Sequence, residues 1–314
     1  MGFEARILAD SVAPCGKRLT TYLWKYPRPI HSEIMTNRAW SKNSASSRAI
    51  PTAKLIAMVN DDPWIPDYIG KNQKGMQPGA ELTDSERGEA VSEWLKAKNN
   101  AVASAEYLLS LGVHKGVVNR LIEPWMWITI IASATEQPNM YGLRLHKDAE
   151  PHYQHLMRMS KAALDASVPV KMPVGGWHMP LIFEEDWQEV AKNVYPQTQG
   201  GVISAKQWIF EQRSQTLGLW RDLIKISVGR CARVSYLTHE GKRDLKEDIR
   251  LHDDLLVKRP LHASPAEHVA QALDTPKWSG NFQGWLQYRK TLPHENITTW
   301  EEVEHLTGHA TNNT

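Results

Sequence analysis

Four short segments of the chain concentrate arginine, asparagine, serine and histidine beyond what packing in a core requires. They span residues 37–48, 139–146, 231–236 and 262–268. In the first segment, Arg38 and Arg48 flank small hydroxyl side chains and backbone amides that a turn would expose. Guanidinium groups and amide N–H donors together can bind a phosphate. Considered alone, however, these residues are better explained as a solvated serine-rich turn.

The other three segments are ordinary when each is considered separately. Residues 139–146 are typical of the start of a polar helix, and residues 231–236 are typical of an edge strand. In the last segment, Ser264 is a good N-cap, Pro265 suits the first helical position, and Glu267 has the capping-box spacing. This segment therefore predicts a short helix over 266–273.

Considered together, the segments resemble the flavin-dependent thymidylate synthases, the ThyX family. That family carries the loop pattern R-H-R-x-x-S-x-N-E-x-S-x-R-Y. In this chain Arg38 matches its third position, and Ser41, Asn43, Ser46 and Arg48 follow in register. The loop alone is a weak match, but it is not the only one.

Four further elements of the same family have similar stretches here. The family's A-A-R-V-S-[FY] is similar to residues 231–236, and its H-E-T-P-F-E-H is similar to residues 262–268. Its A-R-I-V-L-P is similar to residues 119–124, and its N-x-x-x-L-R to residues 139–144. Five matches keep their internal spacing, which makes the resemblance strong.

The resemblance implies a role for each matched residue. Arg144 would polarise the pyrimidine and is the implied catalytic residue. The implied substrate-binding residues are Glu33, Ser44, Ser46, Arg48, Arg120 and Arg144, with Arg48 and Arg120 on the 5′-phosphate. The implied cofactor-binding residues are Asn37, Arg38, Asn43, Asn139, Ser235, His262, Ser264 and Glu267. We assign no metal ligand.

The chain departs from the family pattern in its ligand-binding positions. Thr36 and Asn37 replace an arginine and a histidine of the R-H-R triplet. Ser44 stands in place of a glutamate, Ala49 in place of a tyrosine, and Glu33 in place of a glutamine that faces the nucleotide. These changes affect the expected substrate, the one-carbon donor and catalytic competence more than the fold.

The order of the elements also differs from that of the family. The elements at 231–236 and 262–268 come last here, whereas in the usual family they precede the arginine loop. This order predicts a circular permutation, which folds tolerate when the original termini lie close together at the surface. Residues 281–290 have no firm family counterpart. We expect a surface helix there, with a part of the active-site wall as the alternative.

Three functions follow as hypotheses. The first is transfer of a one-carbon group to C5 of dUMP, with FAD as cofactor and with NADPH and methylenetetrahydrofolate as co-substrates. In the resembled family the reduced flavin supplies electrons and no cysteine nucleophile is needed, so we interpret Cys15 as a structural thiol. The second is a hydroxymethylase, or an enzyme that uses dCMP, making a modified DNA base precursor. The third is a non-catalytic protein that binds flavin or nucleotide, because the Arg-His pair is absent.

The choice between dUMP and dCMP depends on Glu33. An ionised carboxylate only accepts hydrogen bonds, so it would oppose O4 of uracil but accept from N4 of cytosine. Alternatively, Glu33 contacts a ribose hydroxyl or pairs with Arg28 or Arg38, and then it does not select the base. Because flavin sites lie between subunits in the resembled family, we also expect a homotetramer.

The elements that must position these residues predict an α+β fold. The alternation after Arg18 predicts a strand, IHSEIM after Pro29 predicts a helix, and 41–51 a loop. Helical spacing predicts helices over 84–111, 151–166, 186–193, 204–228 and 243–258. We expect one ThyX-like domain over 1–314 with a small, twisted, mainly antiparallel sheet. Its parts would be a strand and arginine loop (1–56), a helical segment (84–166) and a permuted flavin-binding segment (204–290).

Bulk properties limit the possible partners. The 314 residues carry 37 Lys and Arg against 35 Asp and Glu, a net charge of +2, so no direct nucleic-acid binding is expected. Two cysteines far apart in sequence predict a reducing, cytoplasmic compartment. The longest apolar stretch, 125–134, is too short to span a bilayer, so we expect no membrane association and interpret the stretch as buried.

Overall fold

The computed structural model describes residues 2–195, 204–240, 244–257, 264–292 and 295. Its helices are α1 (His31–Met35), α2 (Thr52–Asp61), α3 (Asp84–Ser110), α4 (Lys115–Val118), α5 (Pro138–Arg144), α6 (Pro151–Ala166), α7 (Glu184–Ala191), α8 (Ala205–Glu211), α9 (Leu217–Arg233) and α10 (Leu245–His252). Its strands are β1 (Glu4–Val12), β2 (Arg18–Pro27), β3 (Ser41–Ser44), β4 (Trp127–Ala134), β5 (Val170–Lys171), β6 (Trp177–His178), β7 (Ala270–Ala272), β8 (Trp278–Ser279), β9 (Phe282–Gln283) and β10 (Trp285–Gln287).

Short 3-10 helices complete the described elements. They cover Arg28–Ile30, Asn119–Trp125, Val234–Tyr236, Ser264–Glu267 and Tyr288–Thr291, and a π-helical turn covers Asp253–Val257. Helices and strands are intermixed along the chain, so the predicted α+β class is confirmed. Within the described residues, no helix combines the length and the apolar character needed to cross a membrane.

The main sheet has five strands in the order β3-β4-β2-β1-β5, and it is antiparallel except for the short β1–β5 pair. β2 and β4 occupy its middle, with Tyr22 opposite Ala132. Successive side chains of a strand point to opposite faces. Accordingly Ile130 packs in the core with Trp24, whereas Ile131 packs with Cys231 on the other face.

Two helices have the bounds that their sequences predict. α3 starts at a capping box between Thr83 and Glu86, and Gly112 follows its end with φ +78°. α6 spans the predicted residues 151–166. α3 packs against the 3-10 helix Asn119–Trp125, and α6 packs against β1 and β2. α3 therefore supports the segment that carries Arg120, and α6 supports the main sheet.

α9 and α10 pack closely because α9 carries a glycine at their contact. A Cβ on Gly229 would lie 2.3 Å from the backbone oxygen of Asp248, a distance that no side chain tolerates. One residue later, the fully buried Arg230 binds Asp186 of α7 and Asp248 of α10. This ion pair network connects three helices in the second half of the chain.

Several sequence expectations are wrong in detail. The loop expected at 41–51 begins with the strand β3, which pairs with β4 some ninety residues away. Residues 231–236, expected as an edge strand, form the end of α9 and a 3-10 turn. The helix expected at 266–273 is replaced by β7, and the one at 281–290 by β9, β10 and a 3-10 turn.

The helix expected over 204–228 is divided in two. α8 ends at Glu211 and α9 begins at Leu217. Between them, the buried Thr216 hydroxyl donates to the backbone oxygens of Ile209 and Gln212, each at 3.0 Å. Such side-chain bonds to backbone carbonyls compete with the helical ladder, and they close the turn between the helices.

Candidate functional site

Two residues implied as cofactor ligands lie in direct contact. The Nδ2 of Asn43, on β3, donates to the backbone oxygen of Cys231 at 2.8 Å. The Ser235 hydroxyl donates to Oδ1 of Asn43 at 3.2 Å, and the backbone N of Ser46 donates to the oxygen of Ser235 at 3.0 Å. The arginine loop and the 231–236 segment therefore form one site, although nearly two hundred residues separate them in sequence.

The third predicted segment packs against the same strand. β3 contacts the 3-10 helix Ser264–Glu267. Gln287 of β10 joins the two, because its Nε2 donates to the Ser41 hydroxyl at 3.2 Å and to the Glu267 oxygen at 3.3 Å. The Glu267 carboxylate forms an ion pair with Arg289. Segment 281–290 therefore packs against β3 and the 3-10 helix, and its place in an active-site wall, the alternative to a surface helix, stays a prediction.

The remaining implied cofactor residues lie around these contacts or outside them. Asn37 is half-buried, and its backbone oxygen accepts from the Lys42 ammonium. Burial lowers the pKa of Lys42 to about 8. Arg38, Asn139 and Ser264 are exposed. His262 lies outside the described residues, so its implied role stays a prediction.

A hydrogen-bonded network of buried hydroxyl and imidazole side chains extends from this site into the sheet. His268, directly after the 3-10 helix, has its Nδ1 2.9 Å from the Ser133 hydroxyl, which is 2.6 Å from the Thr21 hydroxyl. Thr21 in turn lies 2.8 Å from Nε2 of His178, whose Nδ1 is 2.9 Å from the Ser11 hydroxyl. All five residues are buried, and sequence analysis assigned none of them to the site.

Among the described residues, one nitrogen of this hydrogen-bonded network has no partner. Burial lowers the pKa of His178 and of His268 to about 3, so both rings are neutral near pH 7. A neutral imidazole has one donor and one acceptor nitrogen, so the four hydrogen bonds can run in either of two directions. The nitrogen is Nε2 of His268. If Nδ1 of His268 donates to Ser133, Nε2 is an acceptor. If Nδ1 accepts from Ser133, Nε2 carries the proton and is a donor.

The two arginines implied as phosphate ligands lie beside the same residue, Gly116 of α4. A Cβ on Gly116 would lie 3.6 Å from Cγ of Arg48, and Nε of Arg120 donates to the Gly116 oxygen at 3.2 Å. Both side chains are exposed. The Lys115 ammonium also reaches this place and donates to the oxygen of Ala49 at 2.8 Å. Three positively charged residues therefore lie where the arginine loop meets α4.

Asn119 positions the arginine loop, and sequence analysis gave it no role. It is fully buried, and its Nδ2 donates to the backbone oxygens of Ser47 at 2.6 Å and Ile50 at 3.1 Å. The half-buried Ser44 and Ser46 lie in the stretch that leads from β3 into this loop. The sequence signal that pointed to Asn119 was its position as the first residue of the 119–124 match.

Arg144 and Glu33 lie together in a different group, around the start of α6. The Arg144 guanidinium lies over the Tyr153 ring, 4.7 Å from its centre. Burial raises the pKa of Glu33 and the Glu150 carboxylate raises it further, while the positive charge of Arg144 lowers it. Burial also raises the pKa of Tyr153 to about 12. The arrangement can present a positive charge to a bound ring beside a carboxyl of perturbed pKa.

Comparisons with known proteins give limited similarity. No protein-family model matches the chain, and no curated protein matches it. Two solved structures of the UMP/dUMP methylase PolB from Streptomyces cacaoi are similar to parts of it. The complex with 5-Br UMP covers 52% of this chain and 88% of its own, at 12% identity and a TM-score of 0.44. The complex with 5-Br dUMP covers 47% and 66%, at 17% identity and a TM-score of 0.39. At these values the similarity alone supports no conclusion about the chain.

Proposed function

We propose that this chain is a circularly permuted ThyX-like enzyme that transfers a one-carbon group to C5 of a pyrimidine deoxynucleotide. One observation carries the proposal. Three segments that match family motifs in register, at 41–48, 231–236 and 264–268, meet around β3 although they are far apart in sequence. Packing alone does not require that the matched stretches meet.

The residues at this junction fit a flavin. His268 has a buried nitrogen with no described partner, in the same motif as Ser264 and Glu267, and a bound ligand would satisfy it. Asn43, Ser235, Ser264 and Glu267 would hold FAD, together with His262. When bound, FAD would supply electrons for reducing the transferred carbon, with NADPH as their source and methylenetetrahydrofolate as the carbon donor.

The cysteines of the chain support a mechanism without an enzyme thiolate. Cys231 is fully buried, and burial raises its pKa, so its sulfur stays protonated. The Cys15 thiol lies 3.9 Å from the oxygen of Gly284, to which it can donate a weak hydrogen bond. Activation of C5 then depends on charge. Arg48 and Arg120 would hold the phosphate, and Arg144 would stabilise negative charge on the ring as C5 attacks.

We also propose that the active site is completed between subunits of a homotetramer. Arg48 and Arg120 are organised around α4, whereas Arg144 is organised around the start of α6. None of the hydrogen bonds and ion pairs described for these three arginines joins the two groups. A neighbouring subunit could bring a second copy of one group to the other. Light scattering that finds a flavin-loaded monomer would contradict this arrangement.

The proposed function is tested on the purified, full-length protein. We expect it to bind FAD, to show flavin absorbance, and to lose that absorbance when NADPH is added without oxygen. Mass spectrometry after incubation with methylenetetrahydrofolate and either dUMP or dCMP then identifies the base and whether the product is methyl or hydroxymethyl. A protein that binds nucleotide but neither binds FAD nor forms a product would instead support the non-catalytic hypothesis.

Replacing Arg48 with alanine should weaken nucleotide binding about tenfold or more, because a charge-assisted phosphate contact is lost. The contact is equal in ground and transition states, so KM for the nucleotide should rise while kcat changes little. Arg120→Ala should behave in the same way. Lys54→Ala, at an exposed position of the neighbouring α2, is the control. If Lys54→Ala weakens nucleotide binding as much as Arg48→Ala, the weaker binding results from the change in net charge and not from the loss of a specific phosphate contact.

A further inference from the structure

A cleft of about 560 Å³ opens beside Glu33 and the start of α6. It lies between the chain around Ile30, the stretch 64–70, α3 and the start of α6. Its walls include three aromatic side chains, Trp64, Tyr68 and Trp94. The Trp64 and Trp94 rings meet edge to face, with their centres 5.7 Å apart. The volume and the aromatic lining are those of a site for a flat small molecule.

The charged residues that line the cleft are Glu33 and Glu150. Glu150 is already bound within the protein, because its carboxylate oxygens lie 2.6 Å from Nδ1 of His152 and 2.6 Å from the backbone N of Tyr153. Glu33 is half-buried, and no hydrogen bond or ion pair of its carboxyl is described. Arg144 is the positive charge nearby, and it packs on the Tyr153 ring. Glu33 is therefore the group that is free to bind a ligand here.

A carboxylate accepts hydrogen bonds through two oxygens and donates none. Its complement on a flat ring is a pair of adjacent N–H donors. We propose that the cleft binds a 2-amino-4-oxopyrimidine edge, with Glu33 accepting from the ring N–H and from the exocyclic amine. A pterin and a guanine both carry this edge. Uracil does not, because its N3–H lies between two carbonyl acceptors.

The choice of the pterin as occupant rests on the proposed function. A one-carbon donor of the folate type carries a pterin, and Arg144, the residue proposed to act on the pyrimidine, lies near Glu33 of the cleft. Glu33 would then orient the carbon donor and would not select the nucleotide base. A guanine nucleotide is the other source of the same edge, and the experiment separates the two.

The test is calorimetric titration of the full-length, flavin-loaded protein with pterin, lumazine and guanosine. Lumazine differs from pterin in having an oxo group in place of the 2-amino group, so it presents an acceptor to Glu33. We expect pterin to bind at least about tenfold more tightly than lumazine, because a carboxylate opposite an acceptor leaves both unpaired. Tighter binding of guanosine than of pterin would show that the cleft binds guanine, and it would overturn the proposal that a pterin occupies it.

The matched variants are Glu33→Gln and Glu106→Gln, the second at an exposed position of α3. An amide can donate as well as accept, so Glu33→Gln should abolish or reverse the preference for pterin over lumazine, and Glu106→Gln should keep it. Thermal melting checks that both variants are folded. Equal affinity of the parent for pterin and lumazine, or no binding of either, overturns the inference. Retained FAD and dUMP binding in the same sample would show that the proposed function itself still stands.

Discussion

Arg230→Met is expected to lower the free energy of unfolding by about 3–5 kcal/mol, the cost of removing one partner from a buried ion pair. Arg230 is 2% exposed. Its Nη1 and Nη2 lie 2.5 and 2.8 Å from the two oxygens of Asp186, and its Nε lies 2.8 Å from Asp248. Methionine fills a similar volume, so the loss measures the charges more than a cavity. Urea denaturation gives the value.

The carboxylate left without its cation should account for most of this loss. Asp248 keeps a second partner, because Nε of Arg233 lies 2.6 Å from its other oxygen. Of its described hydrogen-bond partners other than the arginine, Asp186 keeps the backbone N of Phe183, at 2.7 Å. Adding Asp186→Asn to Arg230→Met should therefore recover part of the stability. If the two substitutions destabilise additively, unpaired charge is not the cause.

A control on the same helix separates this effect from helix propensity. Arg221 lies on α9 and is exposed. Arg221→Met should change the free energy of unfolding by no more than about 0.5 kcal/mol, as surface substitutions usually do. A loss comparable to that of Arg230→Met would mean that methionine itself disturbs α9.

The sequence predicted the elements whose signals are local. The capping residues Thr83 and Glu86 and the glycine after α3 mark that helix, and Glu150 and Pro151 mark the start of α6. β3 was not predicted, because its serines and asparagine favour a turn and only the distant β4 makes them a strand. The same holds for β7, whose partners β6 and β10 belong to other parts of the chain.

For the candidate site, the register of the motifs predicted which residues act together but not which residues they contact. It gave Arg48 and Arg120 a common role, and the two lie beside the same glycine. It could not show that Glu267 pairs with Arg289, because no local pattern connects residues twenty-two positions apart. His178 and Asn119 were missed for the same reason, since their partners come from other strands and loops.

Arg144→Ala is expected to lower kcat by about 10²–10³-fold, the usual effect of removing one group that stabilises charge in a transition state. The guanidinium lies over the Tyr153 ring, 4.7 Å from its centre, and this contact holds it near Glu33. The negative charge on the pyrimidine grows as C5 attacks, so the loss should appear in kcat more than in KM. Arg144→Lys keeps the charge without the planar group, and it should recover only part of the rate. Arg158→Ala, exposed on α6, is the control and should leave the rate unchanged. If Arg144→Ala, like Arg48→Ala, changes only KM for the nucleotide, Arg144 binds the substrate and does not activate it.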